Sequence, residues 1–223
     1  MMMNLFSIFD PSTSMKFELN WLTLSIFLIF MPKNFWFKKS KLFHLFMMMF
    51  YFLFKEMSQL LNFKNFNNII FFLMIFYLIL FFNFFGLFPY IFTPTSQLTI
   101  TLSFSLTIWL SLMLFFWFNY PKIMFAHLVP SGTPSILMPF MVMIELISNF
   151  IRPSTLAIRL TANMMAGHLL LCLLGSTGPN SLNFSILIIL IIAQNLLFIL
   201  EMAVSMIQSY VFMTLSSLYS NET

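Results

Sequence analysis

Five side chains able to carry or exchange a charge, Glu145, Arg152, Arg159, His168 and Glu201, stand in sequence that is otherwise almost wholly apolar. At a membrane centre each ion costs about 2.5–3.5 kcal/mol on insertion scales, so ionisable groups in such surroundings mark an ion pathway or a paired site. Glu145, Arg152 and Arg159 are spaced seven and seven, which on a helix returns to nearly the same face with a drift of ~20° per heptad. Asn149 and Asn163, each four residues beyond a member of that set, extend it into a polar stripe. His168, nine residues after Arg159, points to the opposite side at ~100° per residue. Glu201, Ser205 and Gln208 share one face of the next segment, within roughly 60°. An acid near one end, an imidazole near the other and an arginine between them are what a path with two separate aqueous entries needs.

Blander roles compete for each group. Glu145 and Arg152 can form an ion pair that only lowers the cost of insertion, and Arg152 can snorkel beside Pro153. His168, next to Gly167, can be an interhelical hydrogen bonder, Glu201 a structural partner for an arginine, and Asn163 and Gln208 interhelical glue. Arg159 has no acid three or four residues away, so the bland explanation is weakest there. His44 and His127 have no ligand cluster around them and read as interfacial. Cys172 is the one cysteine, which excludes an intrachain disulfide or a Cys-based metal site and leaves it as a small packing residue.

The elements that must position these groups follow from composition and length. Charged residues make up 7% of the 223, against roughly 25% in a soluble domain, and the mean hydropathy is +0.96. That excludes a soluble enzyme, a nucleic-acid binder and a disordered chain, and it predicts an all-α, polytopic membrane protein forming a single membrane domain. A first transmembrane helix is expected within residues 1–32, ending at Pro32-Lys33. In residues 33–64, Lys41, His44, Lys55, Ser58, Gln59 and Asn62 fall within about a third of the helical circumference, which predicts an amphipathic helix in the membrane surface. Residues 69–118 supply two further spans, interrupted by Pro89 and Pro94. Residues 135–220 hold two helical patterns of ~40 residues joined by GSTGPNS. Each would be ~60 Å long against a ~30 Å hydrocarbon core. The hairpin must therefore tilt steeply or bend, with Pro139 and Pro153 as bend candidates.

The formal charge of +4 is a topology signal: Lys33, Lys38, Lys39, Lys41, Lys55 and Lys64 belong on the inner side, which puts the N-terminus outside and the C-terminus inside. The excess of Phe (33) and Met (20) over Gly (5) reads as codon bias in an AT-rich genome. With no signal peptide or presequence at the N-terminus, it suggests an organelle-encoded protein.

The segment AIRLTANMMAGHLLL (Ala157 to Leu171), followed by LEMAVSMIQSYVFMTLSSLY (Leu200 to Tyr219), closely resembles the family of the membrane subunit a of the F-type ATP synthase. NFFGLFPY (Asn83 to Tyr90) and HLVPSGTP (His127 to Pro134) resemble it too, while the N-terminal half matches mainly in pattern. The resemblance implies a proton-translocating stator subunit of the Fo sector in the mitochondrial inner membrane, packed against the ring of c subunits, with Arg159 facing the ring carboxylate and separating two half-channels. It implies that His168 and Glu201, with Asn163 and Gln208, line the outer half-channel, and that Glu145, with Glu222 as a second acid, lines the inner one. It assigns Arg152 no comparable role. The implied partners are the c-ring, the peripheral stalk and other Fo subunits, membrane lipid and the transported proton, with no nucleic acid and no cofactor. No ATP chemistry is expected on the chain itself, which has no phosphate-cradling glycine loop. A self-contained transporter or ion channel is the alternative, and a purely structural subunit of a respiratory complex the third reading. Against the transporter stands the lack of internal repeats or paired broken helices.

Overall fold

The structure, a computed structural model, describes residues 5–12, 18–25, 40–61, 68–129, 134, 136–178 and 184–222. Among these there is no strand, and four helices are long and apolar enough to cross a membrane. The helices are α1 (Lys41–Leu60), α2 (Ile69–Gly86), α3 (Leu98–Asn119), α4 (Pro121–His127), α5 (Met138–Thr177) and α6 (Phe184–Glu222). Two short 3-10 segments, Leu5–Phe9 and Leu19–Leu22, precede them. Half of the expected first span, residues 1–4, 13–17 and 26–32, falls outside the described residues, as do residues 33–39 and 62–64 of the surface segment.

The short helices α2 and α3 back the long hairpin, α2 packing chiefly on α6 and α3 on α5. Although α2 is apolar all round, its buried residues Ile69, Phe72, Leu73, Phe76, Asn83 and Gly86 recur at helical spacing, while Ile70, Phe71 and Met74 stay exposed. One core runs through α1, α2, α5 and α6, with Met57, Phe72, Leu73, Ile79, Leu160 and Met213 almost fully enclosed.

Ser40 caps α1 by accepting from the Phe43 N–H at 3.2 Å. Leu53 and Met57 of α1 and the following Leu61 are buried, and Tyr77 of α2 meets Phe46 at a tilt, 4.6 Å between ring centres, and stacks with Phe50 at 6.2 Å. Lys41, His44, Lys55 and Gln59 lie exposed on the opposite side. The apolar remainder of the wheel is thus divided, one part packed on α2 and the other, including Leu45, Met48, Met49 and Phe52, left exposed. The side-chain amide of Asn221 donates to the Leu60 carbonyl, one of the carbonyls that the end of α1 leaves without an intrahelical partner.

Pro139 occupies the first turn of α5, where its missing N–H costs nothing, so it starts the helix rather than bending it. Pro153 lies inside α5 and removes the bond to the carbonyl of Asn149. Pro121, two residues after the end of α3, opens the seven-residue α4. On the buried face of α6, Ser205, Ser209, Ser216 and Ser220 each donate to the carbonyl three residues earlier, at 2.7–2.8 Å. They need no partner across the interface and are small enough to admit close helix approach.

Candidate functional site

Two cavities flank the middle of α5. The first, about 310 Å³, is lined by Glu145, Asn149 and Arg152 of α5, by Trp109 and Phe116 of α3, by Met124 and Leu128, and by Tyr219 near the end of α6. The Arg152 guanidinium stands 5.2 Å from the centre of the Tyr219 ring, a cation–π distance. The second, about 600 Å³, lies at the opposite end of the bundle. It collects His168 and Cys172 of α5, Gln194 and Asn195 of α6, Asn20, and the turn that follows α2.

Arg159 belongs to neither cavity. It is exposed, and no hydrogen bond or ion pair among the described residues involves it. Along α5 it stands ~10 Å above Arg152 and ~13 Å below His168 at 1.5 Å per residue. The five-membered stripe is accordingly split. Glu145, Asn149 and Arg152 turn into the first cavity, whereas Arg159 and Asn163 are exposed. Pro153 and the drift of the seven-residue spacing separate the two parts.

Between Arg159 and the second cavity, α5 and α6 exchange polar contacts. The Asn163 amide donates to Gln208 Oε1 at 3.1 Å. One turn farther, the Glu201 carboxylate lies against the backbone of Gly167: a Cβ there would sit 2.7 Å from Oε1 and 2.8 Å from Cδ. Glu201 is buried, and neither of its oxygens, nor the buried Nε2 of His168, has a hydrogen-bond partner among the described residues. A buried ionisable group without a partner is costly, which fits groups that exchange protons rather than groups that brace the helices. Glu222 ends α6, and its side chain lies outside the described residues.

The sequence reading passed over Asn20, Gln194 and Asn195 as site residues. The doublet Gln194-Asn195, alone in the apolar run from Ile186 to Leu200, was the available signal. Asn83 of α2 was also missed; it is fully buried, with neither amide atom partnered among the described residues. Among those residues no group of three or more His, Cys, Asp or Glu side chains could hold a metal ion.

The sequence matches the family described as ATP synthase A chain over residues 1–221. The chain belongs to that family. Curated relatives named ATP synthase subunit a align over their whole length: 56% identical in Drosophila melanogaster across 100% of this chain and 99% of the relative, 53% in Anopheles quadrimaculatus and 52% in Aedes aegypti with the same coverage. Family membership makes the chain the proton-translocating stator subunit of the Fo sector, and it does not favour a self-contained transporter.

Proposed function

We propose that this chain carries protons along two offset half-channels that meet at Arg159, opposite the carboxylates of a c-ring in the mitochondrial inner membrane. The observation that carries the reading is the exposed Arg159 standing between two separate cavities at opposite ends of the bundle, one holding Glu145 and the other His168. Protons enter from the intermembrane-space side through the cavity at His168 and reach Glu201, with the Asn163–Gln208 pair beside the route. They neutralise a ring carboxylate, which can then face lipid cheaply, and the ring turns. After nearly a full turn the acid meets the cavity at Glu145 and discharges toward the matrix, where Glu222 is a second acid.

Arg159 keeps the two routes apart electrostatically. A pair of opposite unit charges ~4 Å apart gains about 4 kcal/mol at an effective dielectric constant of 20, roughly a thousandfold in favour of the ionised acid. The guanidinium does not give up its own proton, as a buried lysine ammonium could. The orientation follows from the lysine-rich segment on the matrix side, and the bond from Asn221 to Leu60 supports a common side for the end of α1 and the C-terminus. The long apolar exposed stretch of α6, from Phe184 to Leu200, and the exposed side of α1 are available to the ring, to lipid and to other Fo subunits, including the peripheral stalk. The chain does no nucleotide chemistry of its own.

Replacing Arg159 with Ala tests the reading. It predicts that ATP-driven proton pumping falls at least a hundredfold while the assembled complex persists on native gels. An unchanged pumping rate per assembled complex would sink it.

A further inference from the structure

The N-terminal segment contributes more than a tether. Phe9, 159 residues from His168 in sequence, is buried and meets the imidazole edge-on, with ring centres 6.4 Å apart and planes at 81°. The backbone here is latched rather than merely packed. Gln97, which opens α3, donates its side-chain amide to the Phe9 carbonyl at 2.7 Å, and Asn20 donates to the Asp10 carbonyl at 3.3 Å. Trp21 packs edge-on against Phe92 at 5.6 Å, fixing the second short segment to the turn that walls the larger cavity. A separate cavity of about 410 Å³ is lined by Phe6, Ser7, Phe9, Asp10, Pro11 and Gln97, the residues of this latch. Phe9 therefore borders both that pocket and the His168 ring.

We propose that Phe9 is a positioning residue for His168: latched by Gln97, it fixes the imidazole in one orientation and closes a direct approach from the N-terminal pocket, leaving the cavity lined by Asn20, Gln194 and Asn195 as the entry. An edge-to-face aromatic contact selects ring orientation as well as burying area. The Nε2 of His168 is buried with no partner among the described residues, so neighbouring hydrogen bonds do not hold the ring there. The contact with Phe9 supplies that hold. The inference rests on the reading of His168 as part of the outer route.

The test uses the assembled synthase in inner-membrane vesicles, with variants Phe9→Ala, Phe9→Tyr, Gln97→Ala and His168→Ala. Assembly by native gel and passive proton conductance per assembled complex are measured on each, and carbethoxylation of His168 by diethyl pyrocarbonate, followed by peptide mass, on those that keep the imidazole. Phe9→Ala is expected to raise the labelling rate of His168 at least fivefold and to lower conductance severalfold, and Phe9→Tyr to restore both. Gln97→Ala leaves the aromatic ring in place and should move both readouts in the same direction by a smaller factor, so it carries the test if Phe9→Ala fails to assemble. Labelling and conductance of Phe9→Ala, or of Gln97→Ala in its place, that match the parent overturn the inference while a slow His168→Ala keeps the route. A His168→Ala complex that conducts normally overturns both.

Discussion

Gly167 offers the sharpest separation of function from folding. A methyl group there would stand 2.7 Å from Glu201 Oε1, 2.8 Å from Cδ and 3.2 Å from Cγ, whereas ordinary contact begins at 3.4 Å, so the carboxylate must retreat by at least ~0.7 Å. The atoms in the way form the far end of a flexible side chain, so the helices need not move. Within α5 the change from Gly to Ala also recovers up to ~1 kcal/mol of helix propensity. Stability should hardly change, and the cost falls on the position of the acid. A misplacement of 1 Å can cost about a hundredfold in rate, so 0.7 Å scales to roughly 25-fold. The assay is ATP-driven acidification of inverted inner-membrane vesicles, divided by the amount of assembled complex on native gels. Gly167→Ala is expected to assemble like the parent and to pump about 25-fold more slowly. Adding Glu201→Asp, which withdraws the carboxyl by one methylene, should make the methyl group harmless: the double variant should pump no worse than Glu201→Asp alone. A Gly167→Ala complex that pumps within twofold of the parent would refute the reasoning, as would a loss that tracks assembly.

His168→Ala should slow proton transfer less than Arg159→Ala does, because the cavity keeps Asn20, Gln194 and Asn195; passive conductance per complex measures the ratio, and complete insensitivity removes His168 from the route. For the Asn163–Gln208 bond, a double-mutant cycle with Leu at each position should give a coupling of about 0.6–1.7 kcal/mol in the thermal stability of the solubilised complex, and a cycle that closes to zero would show that the bond adds nothing. Gly86→Ala should destabilise by about 1–3 kcal/mol, since its Cβ would come 2.8 Å from Cγ2 of Thr93, a stiff, buried side chain whose hydroxyl is tied to Ser96. Thr93→Ser removes that methyl and keeps the hydroxyl, so it should restore the melting temperature of the Gly86→Ala complex.

Charge in apolar sequence is conspicuous, which is why the polar content of α5 and α6 could be read before any coordinates. Glu145, Asn149 and Arg152 share a cavity, and Asn163 meets Gln208, as one face per helix suggests. The arithmetic gives a shared face but not what lies beside each turn of it: the stripe borders α3 and the end of α6 low on α5 and is exposed at Arg159 and Asn163. The packing face of α2 was invisible for a different reason. Lipid tails and protein interior are equally apolar, so the Phe, Leu and Ile that make up most of α2 carry no mark of which side meets which, and only Tyr77 and Asn83, both buried, signal the packed face. The carboxylate at Gly167 and the ring of Phe9 on His168 are tertiary contacts across 34 and 159 residues, outside the reach of any local periodicity.

The serines on the buried side of α6 each donate to a carbonyl of their own helix. What the neighbouring helices feel from them is therefore volume more than polarity. A gene that drifts by mutation can exchange these serines for alanine, glycine or cysteine with little penalty, whereas leucine or phenylalanine would wedge α6 away from the helices packed on that side. Natural variation at these positions should consequently be generous in chemistry and strict in size.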